Sequence, residues 1–195
     1  NIRYEEGPTV MWPGPVGAHT WLPMSFSPKT NLVYIPVIEM PTGYDDKPID
    51  LKNWKRAPGH AVDGGVVPSF LVDEPGAGTS ALLAWNPVTQ KQAWRLPTPG
   101  FWGGGTMVTG GNLLFQGHVD HKFNAFDAVS GKLLWAFDAK APVIAPPITY
   151  RAGGKQMVTV LTGYGTSVGA FGSFVEKYGI DYRTMARRVL TFALD

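Results

Sequence analysis

Five groupings of residues in this chain are of kinds that do chemistry, and their surroundings rank them. His118-Val-Asp-His121 sets two imidazoles three residues apart with Asp120 between them, which could begin a metal site. Zinc needs three or four ligands, and no third is fixed by the pattern. The motif stands between Leu113-Leu-Phe115 and Phe123-Asn-Ala-Phe126, so a polar hairpin tip is the simpler reading. Gly103-Gly104-Gly105 could cradle a phosphate, but a β-type run follows it where such a loop needs a helix N-terminus. The carboxylate pairs Asp45-Asp46 and Asp73-Glu74 suit acid–base work, yet both lie in loop-like sequence where solvated charge is the ordinary case. Ser173 lacks the Gly-x-Ser-x-Gly elbow of a hydrolase. The most unusual patch is Phe101-Trp-Gly-Gly-Gly-Thr106. A Trp offers a planar face and an indole N–H, and glycines let backbone come close to something flat. From the residues alone two readings stay open: Trp102 packed on neighbouring structure, and Trp102 facing a ligand.

The elements that must carry these residues are short. Leu32–Val37, Ser80–Trp85, Gln92–Leu96, Thr106–Thr109, Asn112–Gln116, Lys122–Phe126, Leu133–Phe137, Ile148–Tyr150, Gln156–Leu161 and Arg188–Leu194 are three- to seven-residue runs rich in β-branched and aromatic residues. Gly110-Gly111, Ser130-Gly131 and Gly153-Gly154 mark turns between neighbours, which predicts an antiparallel all-β meander. A repeat organises it. Ala84-Trp-Asn-Pro-Val-Thr-Gln-Lys-Gln-Ala-Trp94 matches Ala125-Phe-Asp-Ala-Val-Ser-Gly-Lys-Leu-Leu-Trp135, and Trp94 and Trp135 lie 41 residues apart. Ser27–Tyr34 is a looser copy of the same turn. Each copy makes sense as a hairpin: Asp or Asn begins the turn, Gly or a polar residue takes the awkward backbone angles, and the outgoing strand ends in Trp. A unit of about 40 residues is the size of a four-stranded β-propeller blade. The recurring Trp is then expected as a spacer wedged between blades. At that period 195 residues supply fewer than five blades, and 41–79, rich in Pro, Gly and Asp, is expected to be a loop excursion. Three to four blades remain, an open arc that another part of a ring would complete. Phe171–Ile180 is expected to form a loop with a helical turn.

Composition narrows the function classes. Lys+Arg 17 against Asp+Glu 15 gives a net charge of +2, with no pull toward nucleic acid. The absence of Cys excludes a disulfide scaffold, a Cys zinc site and a thiol nucleophile within the chain. No run has the ~20 apolar residues of a membrane helix. The chain begins at Asn1 without a leader-like segment, which suggests a mature or excised piece.

Several stretches together resemble the C-terminal part of the pyrroloquinoline quinone (PQQ)-dependent alcohol dehydrogenases, quinoproteins built on an eight-bladed propeller. They are Gly17-Ala-His-Thr-Trp-Leu-Pro-Met-Ser-Phe-Ser-Pro-Lys-Thr-Asn-Leu-Val-Tyr-Ile-Pro36, Leu83-Ala-Trp-Asn-Pro87 with Trp94, and residues 102–117 from Trp-Gly-Gly-Gly to Phe-Gln-Gly. Asn124–Trp135, Pro146–Tyr150 and Gly163-Tyr-Gly165 continue the likeness. The resemblance implies a partial β-propeller of three to four blades over residues 1–195. It implies a parent enzyme, periplasmic, that oxidises alcohols or related hydroxyl compounds by hydride transfer to PQQ with Ca²⁺ and passes electrons to a cytochrome-type acceptor. The family's catalytic Asp, Ca²⁺ ligands, stacking Trp and vicinal cysteines have no matching positions here, so no residue of this chain is expected to be catalytic. The chain alone is expected to be inactive and to bind neither cofactor tightly, the remaining blades being its partner. Trp102, with Gly103 and Gly104, matches the family's late-blade Trp motif bordering the quinone. Where many members carry a pocket Asn after the Leu-Val-Tyr-Ile-Pro strand, this chain has Val37-Ile38-Glu39, so Glu39 or Ile38 takes that place. A Glu beside an anionic quinone is unfavourable unless protonated or paired. His19-Thr20-Trp21 stands where several relatives have His-Asn-Trp, and the C-x-x-C-H haem motif that follows in fused relatives is not within residues 1–195. The alternative is a non-catalytic propeller scaffold binding partner proteins through 41–79, with Trp54 and Lys55-Arg56 at its surface.

Overall fold

A computed structural model describes residues 6–47, 49–50, 52–56, 66–71, 77–163, 181 and 184–194. The turn expected at Phe171–Ile180, Tyr164-Gly165, Ser173 and the pair Asp73-Glu74 lie outside the described residues. Among the described residues all fourteen elements are strands, and no helix is long and apolar enough to cross a membrane. The chain divides into two compact units, one of Asn1–Ala18 with Glu39–Gly78, the other of His19–Ile38 with Thr79–Asp195.

The first unit holds a three-stranded antiparallel sheet of β1 (Thr9–Met11), β4 (Thr42–Asp45) and β5 (Val67–Phe70), in the order β1-β4-β5. Its register runs through Tyr44, opposite Thr9 on one side and Pro68 on the other. The stretch 41–79 therefore carries two strands and is not loop throughout. Gly14 donates to the Met40 carbonyl at 2.8 Å, and a Cβ at Gly14 would run into Thr42. That glycine lets the segment after β1 lie against the start of β4.

The larger unit holds three sheets. One has the order β2-β3-β6-β7, from β2 (Ser25–Ser27), β3 (Leu32–Glu39), β6 (Thr79–Asn86) and β7 (Lys91–Thr98). The next runs β8 (Thr106–Val108), β9 (Leu113–Gly117), β10 (Lys122–Asp127) and β11 (Leu133–Asp138), each strand paired with the one before it. The third is β12 (Ile148–Ala152), β13 (Lys155–Leu161) and β14 (Val189–Leu194). Strict alternation of burial along β3 shows why these sequences form strands: Leu32, Tyr34, Pro36 and Ile38 point inward, and the residues between them are only half covered.

The repeat predicted from sequence is a structural one. Ala84 faces Trp94 and Ala125 faces Trp135 across their hairpins, and each ladder shifts register at the next residue. The turns use one chemistry. Asp127 Oδ1 accepts from the Ser130 amide and hydroxyl, both at 2.7 Å, while Asn86 Oδ1 accepts from the amides of Val88 and Thr89, both at 3.0 Å. The left-handed position is Gly131 (φ +74°) in one turn, Gln90 (φ +54°) in the other and Asn31 (φ +55°) in the looser copy.

Two apolar seams join the three sheets. Leu32, Tyr34, Leu82 and Ala84 of the first sheet pack with Leu114, Phe126 and Ala128 of the second unit of the repeat. Phe115, Phe123 and Ala125 pack with Val158 and Val160 of β13. At the first seam Trp94 lies 5.8 Å from the Tyr34 ring, and a Cβ at Gly131 would come within 3.0 Å of the Trp94 indole. At the second, Trp135 meets Phe192 of β14 edge-on at 5.1 Å.

Candidate functional site

The Trp102 loop leads from β7 into β8, and residues 101–106 are buried without a break. A buried irregular segment must have its backbone polar groups paired. The Gly104 amide donates to Gly117 O (2.9 Å), Gly105 to Ile144 O (3.3 Å) and Thr106 to Pro23 O (2.9 Å). The Thr106 hydroxyl lies within reach of Pro23 O, Tyr34 O and Ser25 Oγ.

The three glycines owe their identity to close packing within the chain. A Cβ at Gly103 would stand 3.0 Å from Gln116 Nε2, one at Gly104 2.7 Å from Gly117 O, and one at Gly105 2.8 Å from Pro23. The flat object that the glycines admit is the neighbouring β9 strand and its surroundings. Trp102 is 0% exposed, flanked by Phe101 edge-on at 5.4 Å and by Trp21 at 5.0 Å with ring planes 49° apart. Trp21 is 61% exposed. It sits between His19, whose Nδ1–H donates to Pro36 O at 2.9 Å, and buried Leu22. Of the two tilted indoles, the outer one presents its surface.

Beneath the loop lies a group of buried uncharged polar side chains. Gln116 Nε2 donates to Gly104 O at 2.9 Å. His118 lies 3.3 Å through Nε2 from Gln116 Oε1 and 3.0 Å through Nδ1 from Asn124 Nδ2. Burial holds the His118 pKa down at about 4, against a smaller upward pull from Asp120, so its imidazole is neutral at physiological pH. Both ring nitrogens are engaged by amides, which leaves no lone pair for a metal. Among the described residues no group of three or more His, Cys, Asp or Glu is placed to hold one. His118 does begin the β9–β10 hairpin tip, as its sequence context predicted, but its ring turns inward.

Trp102, Gly103 and Gly104 thus share one loop of the larger unit. Glu39, the last residue of β3, is half-buried and falls in the other unit. Gln116 and Asn124 were missed. Their signal was an amide inside each of two apolar runs, Leu-Leu-Phe-Gln and Phe-Asn-Ala-Phe, flanking His118.

Comparison with known proteins follows this geometry. Residues 74–158, which contain the repeat and the Trp102 loop, match the PQQ family model for the glucose/ethanol/alcohol dehydrogenase β-propeller domain. The chain is 42% identical over 197 aligned residues to quinohemoprotein alcohol dehydrogenase ADH IIB of Pseudomonas putida, an alignment covering all of this chain and 27% of that protein. It is 38% identical to a 1-butanol dehydrogenase (cytochrome c) of Thauera butanivorans, again over all of this chain and 29% of the relative. Among solved structures, quinohemoprotein alcohol dehydrogenase ADHIIG of Pseudomonas putida superposes with a TM-score of 0.81 at 34% identity, covering 93% of this chain and 27% of that one. The chain therefore spans about a quarter of the length of the relatives it matches. With its blade-type sheets and Trp-spaced repeat, the chain belongs to the PQQ-dependent alcohol dehydrogenase β-propeller family.

Proposed function

We propose that the chain forms late, C-terminal blades of a periplasmic PQQ- and Ca²⁺-dependent dehydrogenase that oxidises an alcohol or related hydroxyl compound and delivers electrons to a cytochrome-type acceptor. The observation that carries this reading is the 42% identity to a quinohemoprotein alcohol dehydrogenase along the whole chain. The periplasmic location rests on the family likeness alone.

In this reading the quinone supplies the two-electron acceptor for the hydride of the alcohol. This chain's residues supply wall, not acid–base chemistry. The tilted pair Trp21 and Trp102 gives the wall its aromatic part, with Trp102 as the inner member. The structure behind the wall does not repel an acidic cofactor: Thr98, Thr106, Gln116, His118 and Asn124 are buried there, bonded within the chain, and none carries negative charge. Gly103 and Gly104 serve by letting β9 close behind Trp102, because their missing side chains make room for Gln116 and Gly117. Glu39 stands near the cofactor only if protonated or paired, since a free carboxylate would repel the quinone's own.

The third sheet supports the need for further blades. Among the described residues it has three strands where the two before it have four. The face carrying Phe192 and Val158 is packed, while Ile148 (59%) and Val189 (67%) are exposed. A ring in which another blade covers the opposite face would bury them.

Trp102→Ala in the full-length protein tests the wall. Equilibrium dialysis against PQQ with Ca²⁺ should show affinity weakened about tenfold, because exposed Trp21 loses the buried ring that backs it. Affinity unchanged in a folded variant would remove Trp102 from the cofactor site. Absence of alcohol-dependent dye reduction in the quinone-loaded wild type would remove the enzyme reading itself.

A further inference from the structure

The carbonyl of Gly104 sets a chain of consequences through three side chains. A carbonyl only accepts, so Gln116 must present its Nε2 to Gly104, at 2.9 Å, which leaves Oε1 toward His118. An amide oxygen also only accepts, so the hydrogen between the two belongs to His118 Nε2, at 3.3 Å. Neutral His118 then has a bare Nδ1, and the group facing it at 3.0 Å must be the NH₂ of Asn124. One tautomer, one protonation state and two amide orientations follow from one backbone oxygen. All three side chains are buried, so water does not substitute for a missing link.

We propose that His118 is a positioning residue: it orients Gln116 against Gly104 and so fixes the loop that carries Trp102. The two strands of one hairpin contribute the parts, Gln116 from β9 and Asn124 from β10, with His118 at the hairpin tip. The Gln116 amide also fills the space where a Gly103 side chain would stand, so its orientation bears on the peptide next to Trp102. The functional weight of the relay rests on the reading of Trp102 as cofactor wall; the relay itself does not.

Hydrogen exchange read by mass spectrometry in the full-length polypeptide tests it, comparing the peptide over 101–106 with that over 155–161. His118→Leu removes both links, and exchange over 101–106 should rise about tenfold while 155–161 holds its rate. His118→Gln can accept from Asn124 and donate to Gln116, and should restore the loop to within about threefold of wild type. If His118→Leu does not fold, Gln116→Glu replaces it: the carboxylate has nearly the same shape but cannot donate to Gly104 O, so the same local rise is expected. Equal acceleration of both peptides, no change over 101–106, or no rescue by His118→Gln would overturn the proposal. PQQ affinity measured on the same variants separates the two claims. A parallel loss in His118→Leu, about tenfold, supports both. Faster loop exchange with unchanged PQQ affinity leaves the relay standing and overturns the wall role of Trp102.

Discussion

The two seams of the larger unit use the same repeated Trp in different ways. Where the β2-β3-β6-β7 sheet meets β8–β11, contact is directional. Tyr34 donates its hydroxyl hydrogen to Ala128 O at 2.9 Å and lies 2.8 Å from Thr30 Oγ1, while Trp94 rests against Gly131. Burial raises the Tyr34 pKa, as expected for a phenol held as a neutral donor. Where β8–β11 meets β12–β14, contact is between rings: Phe192 stands 5.7 Å from Phe123, 5.1 Å from Trp135 and 5.0 Å from Phe137. Trp135 stays 39% exposed there. A repeat thus fixes where the Trp sits on its own hairpin, whereas the neighbouring sheet decides what the Trp meets. The first seam has a fixed registry through one hydroxyl and one missing side chain. The second draws its stability from aromatic area, which tolerates sliding.

The largest effect should come from the second seam. Phe192→Ala removes the ring on which Phe123, Trp135 and Phe137 converge, and should cost about 3 kcal/mol in guanidinium unfolding. A cost under about 1 kcal/mol would mean that the rings repack and that the seam is not held by Phe192.

Acid should separate the seams from the loop beneath Trp102. His118 binds its proton near pH 6.5 when unfolded but only near pH 4 when folded, so the unfolded chain takes up more protons between those values. Stability contributed by the neutral ring is complete above about pH 6.5 and is lost as pH falls toward 4, by up to about 1.4 kcal/mol per pH unit. Asp127 and Asp138, held below the usual carboxylate range chiefly by hydrogen bonds from Ser130 and Lys140, add losses only at still lower pH. Unfolding midpoints from pH 7 to 4.5 should therefore fall in wild type and flatten in His118→Gln. Parallel slopes would show that His118 is not the group responsible.

The smallest effects sharpen the contrast within the repeat. Gly131→Ala adds a Cβ at φ +74° and 3.0 Å from Trp94, and should cost about 2 kcal/mol. Gln90→Gly at the matching turn relieves a left-handed Gln and should be neutral or stabilising by up to about 1 kcal/mol. Equal and small changes at both sites would mean that the seam leaves room at Gly131.

What was legible in the sequence follows the range over which each feature is decided. Ten strands, the three-residue β8 among them, could be read because apolar, β-branched runs and their turns lie within a few neighbours of each other. The other four, β1, β2, β4 and β5, could not. Thr-Gly-Tyr-Asp and Val-Pro-Ser-Phe have weak strand character, and β4 owes its pairing to residues as far away as Thr9 and Pro68. The Trp102 loop was legible as an oddity, but the cause of its glycines was not, since the atoms they meet come from Pro23, Gln116, Gly117, Val143 and Pro146. The inward turn of His118 was equally hidden. Hairpin tips usually face water, and the amides that hold this ring lie two residues before it and six after.

Quinone content of the full-length protein, purified from a host supplied with PQQ and Ca²⁺, bears most directly on whether these blades belong to a dehydrogenase. The cofactor would be extracted after denaturation and quantified against polypeptide by its absorbance. One quinone per polypeptide in wild type, with most of it missing from Trp102→Ala, is the result expected. A folded protein that carries no quinone, even when PQQ and Ca²⁺ are added back, would contradict it.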